Sequence, residues 1–105
     1  MKSKRTKACE ITAKVRQEVE ERDKHCCIFC GSPKARGEAH FIRRSQGGLG
    51  VPQNILTVCR SCHRELDEGE FSEMYMDKAR EYLRSIYPDW NEDNLVYKKW
   101  GSNFI

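Results

Sequence analysis

The chain has no run of apolar residues long enough to cross a membrane. Its charged beginning, Met1-Lys2-Ser3-Lys4-Arg5-Thr6-Lys7, leads into no apolar stretch, so no secretory leader is expected. There are no internal repeats and no low-complexity segments, which leaves a single domain as the expectation for 105 residues. Apolar residues are also scarce, 38% against 33% charged, so the surface is rich and the interior thin. Small domains with so little core often need a staple. Six cysteines offer one. The missing leader points to a reducing cytosol, where paired cysteines hold metal more often than they form disulfides.

Net charge is only +3, but it is unevenly spread. Residues 1–50 hold 12 Lys/Arg against 6 Asp/Glu, and residues 51–105 hold 7 against 10. A basic half of this kind attracts phosphates, although a solvated surface of uneven charge would look the same.

Residues 1–10 read as a basic arm, and 11–105 as one domain. Thr12 can cap a helix through about Lys24, with Val15 and Val19 on one face. A short strand is expected over Glu38–Ile42 and a second over Asn54–Val58, joined by a loop rich in glycine (Gly47, Gly48, Gly50) with Pro52. A helix should begin at Cys62 and stop near Gly69. The longest helix should run from Ser72 to about Tyr87. It carries an apolar stripe of Phe71, Tyr75, Ala79, Tyr82, Leu83 and Ile86, and Pro88 ends it. The tail from Asp89 to Trp100 holds both tryptophans and is expected to fold back on the domain.

Two Cys-x2-Cys pairs, Cys27/Cys30 and Cys59/Cys62, stand 28 residues apart. Each short spacing makes a turn that aims both sulfurs inward, and together they match a four-thiolate structural zinc site. Such binding is worth roughly 10–16 kcal/mol in peptides at neutral pH, so metal binding and folding should be coupled. Cys26 could replace Cys27, but Cys27-x2-Cys30-Gly31 mirrors the second pair. Cys9 reads as an unpaired thiol on the arm, and His25 as an exposed neighbour of the knuckle.

A zinc knuckle by itself needs neither His40, Asn54, His63 nor Asp67. His63 and Asp67 lie four apart on an expected helix and therefore share a face. Imidazole and carboxylate so placed can clamp a divalent ion. The order His40, Asn54, His63 inside the cysteine frame resembles the HNH endonucleases with their ββα-metal finger, over residues 27 to about 69. The phrase Ala39-His40-Phe41-Ile42, then Arg44-Ser45, Gly47-Gly48-Leu49-Gly50 and Gln53-Asn54-Ile55, looks like a phage and prophage subgroup, as does the tail around Tyr82–Trp90 and Leu95–Trp100.

The resemblance implies an α+β fold: a small zinc-stapled ββα-metal domain with an N-terminal helix and a C-terminal helical extension over 70–105. It implies a metal-dependent DNA endonuclease leaving 3′-hydroxyl and 5′-phosphate ends, in a bacterial host's cytoplasm, with phage DNA processing or packaging proteins as partners. His40 would be the general base, Asn54 would brace the loop that orients it, and His63 would bind one catalytic ion (Mg²⁺, Mn²⁺ or Ni²⁺). Arg43, Arg44 and Arg60 would contact DNA phosphates. One departure stands out. Many members place a metal-binding Asp or His directly before the base, where this chain has Ala39. Asp67 and Glu38 are the candidates to replace that ligand, Glu38 because it is two residues from His40 on the same side of the strand, and a third alternative is that His40 itself is a ligand. The rival expectation is a non-catalytic zinc module that binds nucleic acid through the basic half. A third is a zinc module that binds another protein.

Overall fold

The computed structural model describes residues 3–98. Its helices are α1 (Lys4–Cys9), α2 (Ala13–Arg22), α3 (Arg60–Glu68) and α4 (Ser72–Ile86), and its strands are β1 (Ala35–His40) and β2 (Ile55–Cys59). The result is a small α+β domain around a two-stranded sheet.

Thr12 caps α2 as expected, its hydroxyl accepting from the Val15 amide at 3.1 Å. The helix stops at Arg22, two residues short of the expected end. Lys24 and His25 take left-handed φ angles of 59° and 57°, which a continuing helix cannot accommodate.

β1 and β2 run antiparallel, with Ala35 opposite Cys59 and His40 opposite Ile55. A register shift lies between Gly37 and Ala39. α2 crosses the sheet at Gly37, where an added Cβ would sit 3.1 Å from the Arg16 carbonyl, and the Gly37 amide donates to Glu20 at 2.9 Å. β2 is buried at every position. Leu56 and Val58 join the core with Ala79 and Leu83 of α4, whereas Thr57 faces α2 through the Val19 carbonyl.

Other expected boundaries move as well: β1 starts at Ala35 instead of Glu38, and β2 spans Ile55–Cys59 instead of Asn54–Val58. β1 ends at His40 instead of Ile42, because the segment opposite turns at Pro52–Asn54: Phe41 bonds the Asn54 carbonyl, but the Ile42 amide bonds the Asn54 side chain. α3 starts at Arg60, not Cys62, since the Cys59 sulfur caps it by accepting from the Cys62 amide. The arm is also structured: Lys4–Cys9 is helical, Ser3 caps it, and Cys9 is 1% exposed. Gly69 does end α3, but in extended backbone. Its lack of a side chain matters because a Cβ there would lie 2.7 Å from the Glu65 carbonyl.

The apolar stripe of α4 buries Ala79 and Leu83 and half-buries Tyr75, Tyr82 and Ile86. Phe71, placed at the cap, stays 56% exposed. Of the two tryptophans, Trp90 packs edge-on against Phe41 and donates to the Gln53 carbonyl at 2.8 Å. Trp100 lies outside the described residues.

A buried polar network, with no sequence signal, ties α2 to the strands and α4. Arg22 clasps Asp23 at 2.7 and 2.9 Å and donates to the carbonyls of Pro52 and Ile55. Asp23 also accepts from the Thr57 amide and the Tyr82 hydroxyl. Burial would lower the Arg22 pKa, but the hydrogen bonds to Asp23 and Tyr87 hold it above its ordinary value. Burial, then the Asp23 carboxylate, push the Tyr82 phenol up to about 12.

Candidate metal centre and the cleft beside it

The first knuckle is shaped by backbone bonds: Cys27 donates to Ser32 at 2.8 Å and Gly31 to Cys27 at 2.9 Å. Gly31 has φ +78° with open space around it, so the backbone angle is what requires glycine there. The second knuckle is the end of β2 and the first turn of α3. The hydrogen bond from the Ile28 amide to the Thr57 carbonyl joins the two.

The Sγ atoms of Cys27, Cys30, Cys59 and Cys62 all lie within 4.8 Å of one another, and Cys30 and Cys59 are 3.6 Å apart. Zinc–sulfur bonds of about 2.3 Å in a tetrahedron require sulfurs about 3.8 Å apart. The donor set and spacing therefore fit a structural metal such as zinc. Cys26 is not in the group, which resolves the choice at the first pair in favour of Cys27. The six cysteines form no disulfide. Burial raises the Cys27 pKa, yet backbone hydrogen bonds from Cys59, Cys30 and Phe29 outweigh it and bring the thiol down to about 7. Burial and the neighbouring sulfurs push the Cys62 thiol up.

α3 grows directly from this centre and carries His63 and Asp67 on one face, with His63 Nε2 3.2 Å from Asp67 Oδ2. Both are half-exposed. His40 closes β1 nearby, and His63 and Asp67 both act electrostatically on its ring. Its Nε2 is 2.9 Å from the Cys9 carbonyl. Burial is the main cause of a lowered His40 pKa; the Cys9 carbonyl opposes it, Arg44 and His63 add to it, and Asp67 opposes it.

Asn54 is fully buried. Its Oδ1 accepts from the Ile42 amide at 2.8 Å, and its Nδ2 donates to the carbonyls of Ile42 at 3.2 Å and Leu49 at 2.8 Å. Its own carbonyl accepts from Phe41 at 2.7 Å. The side chain thus pins the start and the middle of the loop that follows His40.

Glu38 shares the outer face of β1 with His40, as the two-residue step requires. It does not join His63 and Asp67 as a third ligand. Arg16, reaching across from α2, holds its carboxylate at 3.1 Å. Among the described residues, only the four cysteines gather three or more His, Cys, Asp or Glu side chains closely enough for an ion. Ala39 is buried at 1% exposure, facing away from this surface.

Glu38, Arg60 and His63 line a cleft of about 540 Å³ with Lys34 and Arg36 on its walls. Arg44 is exposed beside His40, whereas Arg43 is fastened to the Asp67 carbonyl at the end of α3. Arg16 and the Cys9 carbonyl escaped the sequence reading. The one hint was Cys9 and Ile11, two apolar residues in an otherwise polar segment.

Fold and site together define a small α+β protein with a four-cysteine cluster fit to hold a structural metal such as zinc. No family model matches the chain, and no solved structure matches it. It is 36% identical over 59 residues to Anaredoxin of Nostoc sp. (strain PCC 7120), an alignment covering 54% of this chain and 76% of the relative. The chain belongs to the same family as that protein. No helix among the described residues is long and apolar enough to cross a membrane.

Proposed function

We propose that the protein is an HNH-type endonuclease that hydrolyses DNA phosphodiester bonds at the surface shared by His40, His63 and Asp67. The observation that carries this reading is their convergence. A half-buried imidazole biased toward its neutral form lies within electrostatic reach of an imidazole–carboxylate pair on a helix that starts at the four-cysteine cluster.

Neutral His40 takes a proton from a water molecule, and the oxygen of that water attacks phosphorus. The bond from phosphorus to the 3′ oxygen breaks, the 3′ oxygen picks up a proton from solvent, and the products are a 3′-hydroxyl and a 5′-phosphate. Asn54 keeps the chain after His40 rigid, so the ring meets the water in one orientation. His63 and Asp67 would hold a divalent ion, the rest of its coordination being left to water and phosphate oxygens, as Mg²⁺ commonly accepts. Such an ion supplies charge stabilisation at the phosphate and the leaving oxygen. Arg44 and Arg60 are exposed to receive neighbouring phosphates. The phage-type resemblance supports DNA processing or packaging as the setting.

The test is relaxation of supercoiled plasmid by the zinc-loaded protein with Mg²⁺, Mn²⁺ or Ni²⁺. Nicking should vanish in His40→Ala with zinc content unchanged. Equal nicking by the variant removes His40 from the mechanism. No nicking, with DNA binding that weakens with salt, favours a non-catalytic nucleic-acid module.

A second reading concerns the tetrathiolate. Four cysteines of this geometry suit iron as well as zinc, and the name Anaredoxin points to redox chemistry. Metal analysis of protein purified without added zinc separates the two: an iron-loaded centre with visible thiolate absorption supports electron transfer, and stoichiometric zinc refutes it.

A further inference from the structure

Helix α1 lies outside the stretch that carries the family resemblance, and the proposed chemistry gives it no task. It is nevertheless riveted to the site. The Ala8 carbonyl accepts from the Gly50 amide at 2.9 Å, Arg5 donates to the Ser45 carbonyl at 3.0 Å, and the buried Cys9 side chain seats the end of the helix. The next carbonyl along the chain, that of Cys9, sits 2.9 Å from His40 Nε2.

A carbonyl oxygen has no proton to give, so the ring nitrogen facing it must donate. A neutral imidazole carries one N–H, and here that N–H is on Nε2. The lone pair is therefore on Nδ1. The opposite tautomer would set the Nε2 lone pair against the carbonyl oxygen.

We propose that α1 is a positioning element for His40: the Cys9 carbonyl fixes the Nε2–H tautomer and assigns the base's lone pair to Nδ1. This rests on the nuclease reading for its consequence, but not for its geometry. The arm read from the sequence as a loose basic extension thus becomes part of the site. A nuclease stripped of the docking of α1 would keep its metal centre and its phosphate-binding arginines and lose the orientation of its base.

The experiment uses the full-length, metal-loaded protein labelled with ¹⁵N-histidine. In the wild type, long-range ¹H–¹⁵N correlations should show a pyrrole-like Nε2 and a pyridine-like Nδ1 for His40. Gly50→Ala perturbs the rivet, since its Cβ would lie 2.0 Å from the Glu10 carbonyl oxygen and 3.1 Å from that of Cys9. It should mix the two tautomers and lower kcat by about tenfold, with KM within about twofold. Arg5→Ala, which frees the helix from Ser45 without a clash, should do the same to a smaller degree and serves if Gly50→Ala fails to load metal. A pyrrole-like Nδ1 in the wild type overturns the proposal. So does a wild-type tautomer population in every variant that loads metal. A wild type that cuts no DNA sinks the nuclease reading, while the tautomer spectrum still judges this proposal separately.

Discussion

Replacing Asn54 tests the structural logic of the site most directly. Its side chain makes three hydrogen bonds, to the Ile42 amide and to the carbonyls of Ile42 and Leu49, and the residue is fully buried. Asn54→Ala leaves those three backbone groups without their partner and opens a small void. Each orphaned group costs about 1–3 kcal/mol, the carbonyls toward the lower end because they keep a second lone pair for other partners. The sum is about 3–5 kcal/mol, a large share of the ~5–15 kcal/mol that holds a domain together. Asn54→Asp nearly preserves volume but turns the two donated bonds into contacts between oxygens, so it should cost as much or more. The assay is urea unfolding of the metal-loaded protein, followed by circular dichroism. With a slope of about 2 kcal/mol/M, the midpoint should fall by about 2 M at unchanged slope. A loss below about 1 kcal/mol for both variants would refute the claim that this amide braces the loop.

Cys62→Ser, or a strong chelator, should abolish cooperative unfolding and the folded spectrum together, because metal binding supplies roughly 10–16 kcal/mol in such sites; a native-like thermal transition without metal would contradict it. The Tyr82 phenol, pushed up to about 12 mainly by burial and then by Asp23, should titrate late in ultraviolet difference spectra, and Asp23→Asn should bring it back toward 10. Because its folded pKa is raised, the stability tied to neutral Tyr82 is fully present below about pH 10 and is lost as pH rises toward 12; stability that is flat across that window argues against the network. For the nicking reaction, the lowered pKa of His40 places the acid limb of the rate profile below its ordinary 6.5, and Asp67→Asn should move the limb further down, since Asp67 favours the charged ring. A limb above 6.5 would mean that another group sets it.

The sequence by itself determined the parts whose causes are local. The Cys-x2-Cys spacing makes its own turn, so the four-cysteine cluster could be placed in advance down to Cys27 over Cys26. Thr12 as a cap, the alternation of β2, the stripe and proline stop of α4, and the shared face of His63 and Asp67 follow from periods of two and 3.6 residues. Tertiary structure alone decided what joins distant segments. It made a helix of the arm and set its last carbonyl on His40. It ended β1 at His40 because Asn54 claims the Ile42 backbone twelve positions away, and it paired Glu38 with Arg16. It also buried Arg22 and Asp23 against Tyr82, a charge pair that reads as surface in any local window. Hydrogen bonds between segments depend on where the whole chain closes, and no short spacing encodes that.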